Sequence, residues 1–433
     1  MLTRTGDEAA IMIFSFLMCV GSHLLIVRKE RSWINWATPT FIFALGTRYI
    51  FQFLYLMRVG DGGSIYAYCF CYGTYALSAL AGAVAFCWLR PIEIWPVQVA
   101  IPNVGRLPWI LLLLGWMIYL PILVEFREYL NDPRQIYIMT RTGYGIWYFG
   151  STTIATLGFV VFLFKRDRTR LGTLVYFFLC SALAYWHGSK GQILTYVLVW
   201  MLYPVYVNRH AVSLSKGLGL LVSLVVLCVG SFALFAGAED VGEVIVSLTA
   251  YADYVRNAML VIDDPEASRY YGRLMLENEI YSRVPRQLMP DKPKDFGPFL
   301  LAKRYTPAIF RRDEGVAAFD IGVQYADFGP WSAVLICFSS GCTAWVISCV
   351  VRRLRRSPAP QDFVLLLFLS GVSMIPVAGA WYLPETLVLA ATVKLFLRFT
   401  PIRGSLRPSR LGHSSAESKR TDGGYATAPV QLG

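Results

Sequence analysis

The chain has 433 residues, 56% of them hydrophobic and only 16% charged, with mean hydropathy +0.49. A soluble domain carries about 25% charged residues, so a single soluble globule is excluded. The net charge of +12 does not point to nucleic acid, because the basic residues sit at the edges of apolar runs and in the C-terminal stretch. All nine cysteines lie inside apolar runs and the four histidines are scattered. That pattern reads as small buried residues, not as a disulfide framework or a zinc site.

Long apolar runs alternate with short basic clusters, which predicts an all-α polytopic membrane protein of about 11 transmembrane helices. The spans are expected over 8–27, 35–57, 66–88, 107–124, 144–164, 171–187, 191–207, 217–237, 330–351, 362–380 and 384–400. The first run follows Asp7 and Glu8 rather than a basic segment, so no cleavable signal peptide is expected. With the N-terminus outside, the inner segments hold twenty-one Lys and Arg and the short outer ones six. That bias fits an N-out, C-in chain. Four regions follow: eight helices in 1–237, a large extracytoplasmic loop in 238–329, three helices in 330–400, and a disordered cytoplasmic tail in 401–433. Ser, Gly and Arg dominate that tail, a composition unable to build a core.

In chain order, the first residue to stand out is Arg48, near the middle of span 35–57. A charge at that depth is costly and implies a function or a buried partner. Outer loop 125–143 carries Arg127, Arg134 and Arg141 beside Glu125, Glu128 and Asp132. Lys190 lies at the outer junction of two spans, in Gly188-Ser189-Lys190-Gly191. Its glycines suit a tight turn or close approach to a ligand. The spacing is not that of a P-loop. In the large loop, over 243–262, Val244, Leu248, Tyr251, Val255, Met259 and Ile262 recur at helical spacing, with Glu243, Asp253, Arg256 and Asn257 on the other side. This predicts a helix lying on the bilayer or packed on the bundle. From Arg269 to Arg312 the loop nets +6, with ten basic residues against four acids. A cationic outer surface suits an anionic ligand, and guanidinium groups grip phosphate oxygens in pairs. Contact with anionic lipid headgroups is the alternative.

Three stretches together resemble the Wzy-type bacterial polysaccharide polymerases of O-antigen, capsule and exopolysaccharide. They are Gly188-Ser189-Lys190-Gly191, the run IYSRVPRQLMPDKP from Ile280 to Pro293, and the run FDIGVQYADFG from Phe319 to Gly329. Two positions depart from the family pattern: Lys190 stands for an Arg, and Gln324 for an acid, so Gln324 is not a candidate base. The resemblance implies joining of undecaprenyl-pyrophosphate-linked oligosaccharide repeat units at the outer face of the bacterial inner membrane. Such a transfer needs cations on the pyrophosphate leaving group and a carboxylate for the hydroxyl proton. Arg283, Arg286 and Lys292 are the expected pyrophosphate ligands, with Arg134, Arg141, Lys190 and Arg48 in support. Asp291 or Glu277 is the candidate base. Structural ion pairing is the alternative for each arginine. No cofactor is required and nothing in the sequence requires a metal. Membrane lipids, a chain-length regulator and a flippase are the implied partners. An O-antigen ligase is the nearest rival reading, but the ligases compared use a histidine in the large loop, and 238–329 has none. A transporter or flippase would show internal repeats, and none is evident. A structural partner of a synthase complex is a further option.

Overall fold

A computed structural model describes residues 2–59, 63–93, 104–140, 144–188, 190–220 with 222, 223, 226 and 230, 253–267, 269–284, 289–308 and 318–372. Its elements are α1 (Leu2–Glu30), α2 (Thr38–Ala44), a π-helical turn (Leu45–Ile50), α3 (Phe51–Val59), α4 (Ile65–Trp88), α5 (Leu107–Glu125), α6 (Pro133–Met139), α7 (Gly145–Leu163), α8 (Arg170–Trp186) and α9 (Lys190–Tyr206). The large loop contributes α10 (Asp253–Asp263), α11 (Arg273–Arg283), α12 (Pro298–Tyr305) and α13 (Gly322–Phe328), followed by α14 (Trp331–Arg356) and α15 (Pro360–Leu369). No strand occurs among the described residues.

Among the described residues, five helical stretches are long and apolar enough to cross a membrane: Gly6–Glu30, Thr38–Met57, Ile65–Trp88, Leu107–Glu125 and Trp331–Arg356. Shorter apolar helices over Trp147–Leu163, Arg170–Trp186, Gly191–Tyr206 and Pro360–Leu369 follow the expected spans. The spans expected at 217–237 and 384–400, and the end of 362–380, lie largely or wholly outside the described residues. The starts are set by local chemistry: the side chains of Ser64, Asp132 and Thr169 accept the N–H groups of Ala67, Gln135 and Gly172. These caps satisfy donors that a helix end leaves open.

Two packed groups form the bundle. In one, α4 lies against α1 and α14; in the other, α5 lies against α7. Small residues permit both approaches. A side chain at Gly115 of α5 would stand 3.1 Å from the Ser151 carbonyl of α7, and at Gly82 of α4 it would face Ala344 of α14. Between apolar helices such close contact replaces the missing hydrophobic drive. One end of the bundle is laced by the basic clusters. Arg353 pairs with Asp362 at 2.6 Å and Arg355 with Glu30 at 2.7 Å, while Arg352 donates to the Pro91 carbonyl at 2.8 Å.

The loop helices dock at the opposite end. The amphipathic pattern expected over 243–262 appears as α10, with Val255, Met259 and Ile262 buried; residues 243–252 fall outside the described part. Asn257, assigned to the polar face, is buried instead. Its amide donates to the Ala318 carbonyl at 3.0 Å, which satisfies it there.

Candidate functional site

The partner that Arg48 demands is Asp320, 272 residues later in the chain. Nε donates to Oδ2 at 2.9 Å and Nη2 to Oδ1 at 3.0 Å, a two-pronged contact. Tyr75 of α4 adds its hydroxyl to Oδ2 at 2.8 Å, and its ring centroid lies 4.2 Å from the guanidinium carbon. The Tyr72 hydroxyl donates to the Arg48 carbonyl at 2.8 Å. An outside donor on a helix carbonyl is the kind of partner a widened turn admits. Behind it, Ser15 of α1 donates to the Tyr72 carbonyl at 2.7 Å and meets the Tyr49 hydroxyl at 2.9 Å. Asp320 holds φ at +41°, a region that few residues other than glycine enter, Asp being among them. The two side chains remain 25% and 14% exposed, so the pair can be reached. The same π turn also borders an apolar cavity of about 340 Å³, lined by Met12, Ile13, Phe16, Leu45, Tyr49 and Ile50 among others.

Around this pair the FDIGVQYADFG run works as a dock for the loop. A side chain on Gly322 would come within 2.8 Å of the Ala258 Cα of α10, so only glycine lets the two backbones meet. Asp327 is fully buried and accepts the N–H groups of Leu274 and Met275 at 3.1 and 3.0 Å, fixing the start of α11. Burial raises its carboxyl above the ordinary range, against those hydrogen bonds. Arg269 donates to the Tyr325 carbonyl at 3.1 Å and lies 4.7 Å over that ring. Asp263 takes the Ser64 N–H at 2.7 Å and its hydroxyl, tying α10 to α4. Asp264 binds Arg304 at 2.6 Å and Tyr305 at 2.8 Å. Burial alone would raise the Asp264 carboxyl. The hydrogen bonds from Tyr305 and the Glu266 N–H, with the Arg304 guanidinium, outweigh it and hold the group below its usual value.

Several sequence candidates are engaged in this dock. Glu277 pairs with Arg273 at 2.5 Å and accepts the Gly297 N–H at 3.2 Å. The Lys292 ammonium donates to the Val284 carbonyl at 3.0 Å and lies 5.2 Å over Phe296. Asp291 is exposed in a turn beside it. Arg283 is the last residue of α11. Its side chain and that of Lys190, like residues Arg141 and Arg286, lie outside the described part. Arg134 is exposed on α6, which packs on α8 in the other helix group. Within the Gly188–Gly191 turn, the demanding position is Gly188. Its φ is +62° and a side chain there would meet the Pro133 carbonyl at 2.6 Å, whereas one at Gly191 would meet open space.

Comparison with known proteins places this arrangement. The chain is 33% identical over 386 residues to the O-antigen polymerases of Salmonella typhimurium and Salmonella typhi, a match covering 88% of this chain and 94% of each relative. It belongs to the Wzy-type O-antigen polymerase family. No family model matches the chain, and no solved structure does. Three carboxylates of the arrangement described above are ones that the sequence did not single out: Asp320, Asp327 and Asp264. One signal did exist for Asp320. An arginine within a span calls for a carboxylate, and Asp320 is one of the two acids, with Asp327, of the family-like run that leads into α14.

Proposed function

We propose that the protein joins undecaprenyl-pyrophosphate-linked oligosaccharide repeat units at the outer face of the bacterial inner membrane. The observation that carries this reading is the 33% identity to two O-antigen polymerases along nearly their whole length. Such a polymerase moves a growing glycan from its pyrophosphate carrier to a sugar hydroxyl of another lipid-linked unit. The reacting bond therefore lies at the bilayer surface, where one partner is a tethered amphiphile.

The geometry supports that task in two ways. The cationic loop is docked on the helix ends around Ser64, away from the end laced by Arg353 and Arg355. With the basic clusters inside, the loop faces outward. From Glu30 to Ser15 is fifteen residues of α1, roughly 22 Å at 1.5 Å per residue. The Arg48–Asp320 layer beside Ser15 then falls in the outer half of a hydrocarbon core about 30 Å thick. Arg283, Arg286 and Lys292 take the pyrophosphate in this reading, with Arg48, Arg134, Arg141 and Lys190 contributing positive potential.

Deletion of the gene tests the class of reaction. Surface polysaccharide reduced to a single repeat on a gel is the expected result. Unattached polymer would indicate a ligase instead, and complete loss of surface glycan a flippase. At the site itself, Arg283→Lys and Arg286→Lys keep the charge but lose the planar fork. A lost charge-assisted contact costs about 1.5–3 kcal/mol, a fall of about ten- to a hundredfold or more in rate. Near-normal chain length in both variants, at normal protein level, would remove them from the site.

A further inference from the structure

Three irregular features of the molecule meet at one point. Arg48 is a charge within a span, it lies in a π-helical turn, and its partner Asp320 holds a positive φ. Wide turns recur at functional sites, and strained backbone persists where the surroundings over-determine it. A latch between helices requires none of these. Arg353–Asp362 joins α14 to α15 with an arginine in regular α-helix and side chains only 9% and 1% exposed.

The other carboxylates around the dock are committed to backbone or to neighbours of their own layer. Asp327 is bound by two helix N–H groups, Asp263 by Ser64, Glu277 by Arg273 and the Gly297 N–H, and Asp264 by the Glu266 N–H as well as Arg304 and Tyr305. Among the described contacts, the Asp320 carboxylate is instead held by two side chains, Arg48 and Tyr75. Of the two, the partly exposed Arg48 guanidinium is the one free to meet another partner. An anion of higher charge density than a carboxylate competes directly for the Arg48 fork, and it would release the Asp320 carboxylate beside it.

Resting on the reading of this protein as a polymerase of pyrophosphate-linked units, we propose that Asp320 is the proton acceptor of the glycosyl transfer, masked by Arg48 until the donor's pyrophosphate draws the guanidinium away. The acceptor hydroxyl oxygen forms its bond to the donor's anomeric carbon. The bond from that carbon to the pyrophosphate oxygen breaks, and its electron pair leaves on the pyrophosphate, which Arg48 now faces. The hydroxyl proton passes to the freed Asp320 carboxylate and from there to water. When the pyrophosphate carrier departs, Arg48 returns to Asp320 and the site resets. The pairing thus keeps a bare carboxylate out of the apolar layer between turnovers.

The full-length protein in proteoliposomes, given purified lipid-linked repeat units, provides the test. Asp320→Asn keeps the shape of the side chain but removes both the base and the competitor for Arg48. The donor KM should therefore fall while kcat drops by about a hundred- to ten-thousandfold, the usual contribution of a general base. A merely structural residue would not lower KM. The double variant Arg48→Met/Asp320→Leu removes both charges, an exchange that often leaves stability unchanged; it should accumulate normally and make no polymer. Parental turnover in either variant overturns the proposal. So does failure of both to accumulate, which would make the pair a structural latch. If the unaltered protein itself makes no polymer from these units, the assigned function fails; if it does and Asp320→Asn is equally active, only the proton acceptor fails.

Discussion

Two of the arginine–carboxylate pairs among the described residues, Arg353 with Asp362 and Arg48 with Asp320, differ in nearly every respect. Arg353 and Asp362 are nine residues apart, on the facing ends of α14 and α15, and almost completely buried. Arg48 and Asp320 are separated by 272 residues, draw on a π-helical turn and a positive φ, and keep a quarter and a seventh of their side-chain surfaces accessible. The first pair is local, regular and closed, as a fixed joint between neighbouring helices should be. The second is distant, strained and reachable, and it joins the membrane bundle to the run that docks the large loop. Burial of an ion pair therefore does not by itself indicate what the pair is for. The backbone that presents it and the access left to it are more informative.

The largest expected effect separates the two pairs by breaking the local one. Asp362→Ala leaves Arg353 charged in a site with almost no solvent, and removing one partner of a buried pair costs about 3–5 kcal/mol. Folded protein recovered in detergent, followed by size-exclusion chromatography, should fall sharply. Arg353→Met/Asp362→Leu should restore both the folded fraction and polymer synthesis, because that pair is a joint and nothing more. An Asp362→Ala protein that accumulates and works normally would erase the contrast.

A second comparison sets Gly322 against Gly191. Both belong to stretches that resemble the polymerase family, yet a side chain at Gly322 collides with the Ala258 backbone and one at Gly191 meets nothing. Gly322→Val should cost about 1–3 kcal/mol, as overpacking does, and should lift α10 off the bundle so that limited proteolysis cuts within 253–308. Gly191→Val, at an open position in the first turn of α9, should stay within about 0.5 kcal/mol of the parent. Equal protease patterns for the two variants would mean that α10 is not held where Gly322 meets it.

These contrasts mark what the sequence could and could not convey. Helix positions were legible because an apolar run of about 20 residues reads as a helix in a bilayer, and α1 to α5, α7 to α9 and α14 follow the expected runs closely. The need of Arg48 for a partner was legible for the same reason. Its identity was not, since period and composition carry no information on which distant residue completes a pair. The cationic loop was visible as net charge, but its internal pairing, Arg273 with Glu277, Lys303 with Asp295 and Arg304 with Asp264, depends on how α11 and α12 fold back. Asn257 shows the limit of a helical wheel: a polar residue moves to the buried side when a carbonyl such as that of Ala318 waits there.

The smallest effect concerns the exposed counterpart of the buried pairs, Asp264 with Arg304 and Tyr305, which ties the end of α10 to α12. The Asp264 carboxyl is held below its ordinary value in the folded protein, while in the unfolded chain it titrates near the usual value of about 3.9. A depressed folded value means that the contribution is complete above the unfolded one and is lost as pH falls through the folded one. Protection of the α12 segment from protease should therefore hold from neutrality to about pH 5 and weaken below about pH 4. The change should be modest, since pairs near the surface contribute about 1 kcal/mol or less, and salt should reduce it further. In Asp264→Asn the weakened protection should already be present at neutral pH, and acid should add little to it. Protection that is unchanged at neutral pH in this variant, and still lost on acidification, would mean that the Asp264 pairing is not the source of the acid sensitivity.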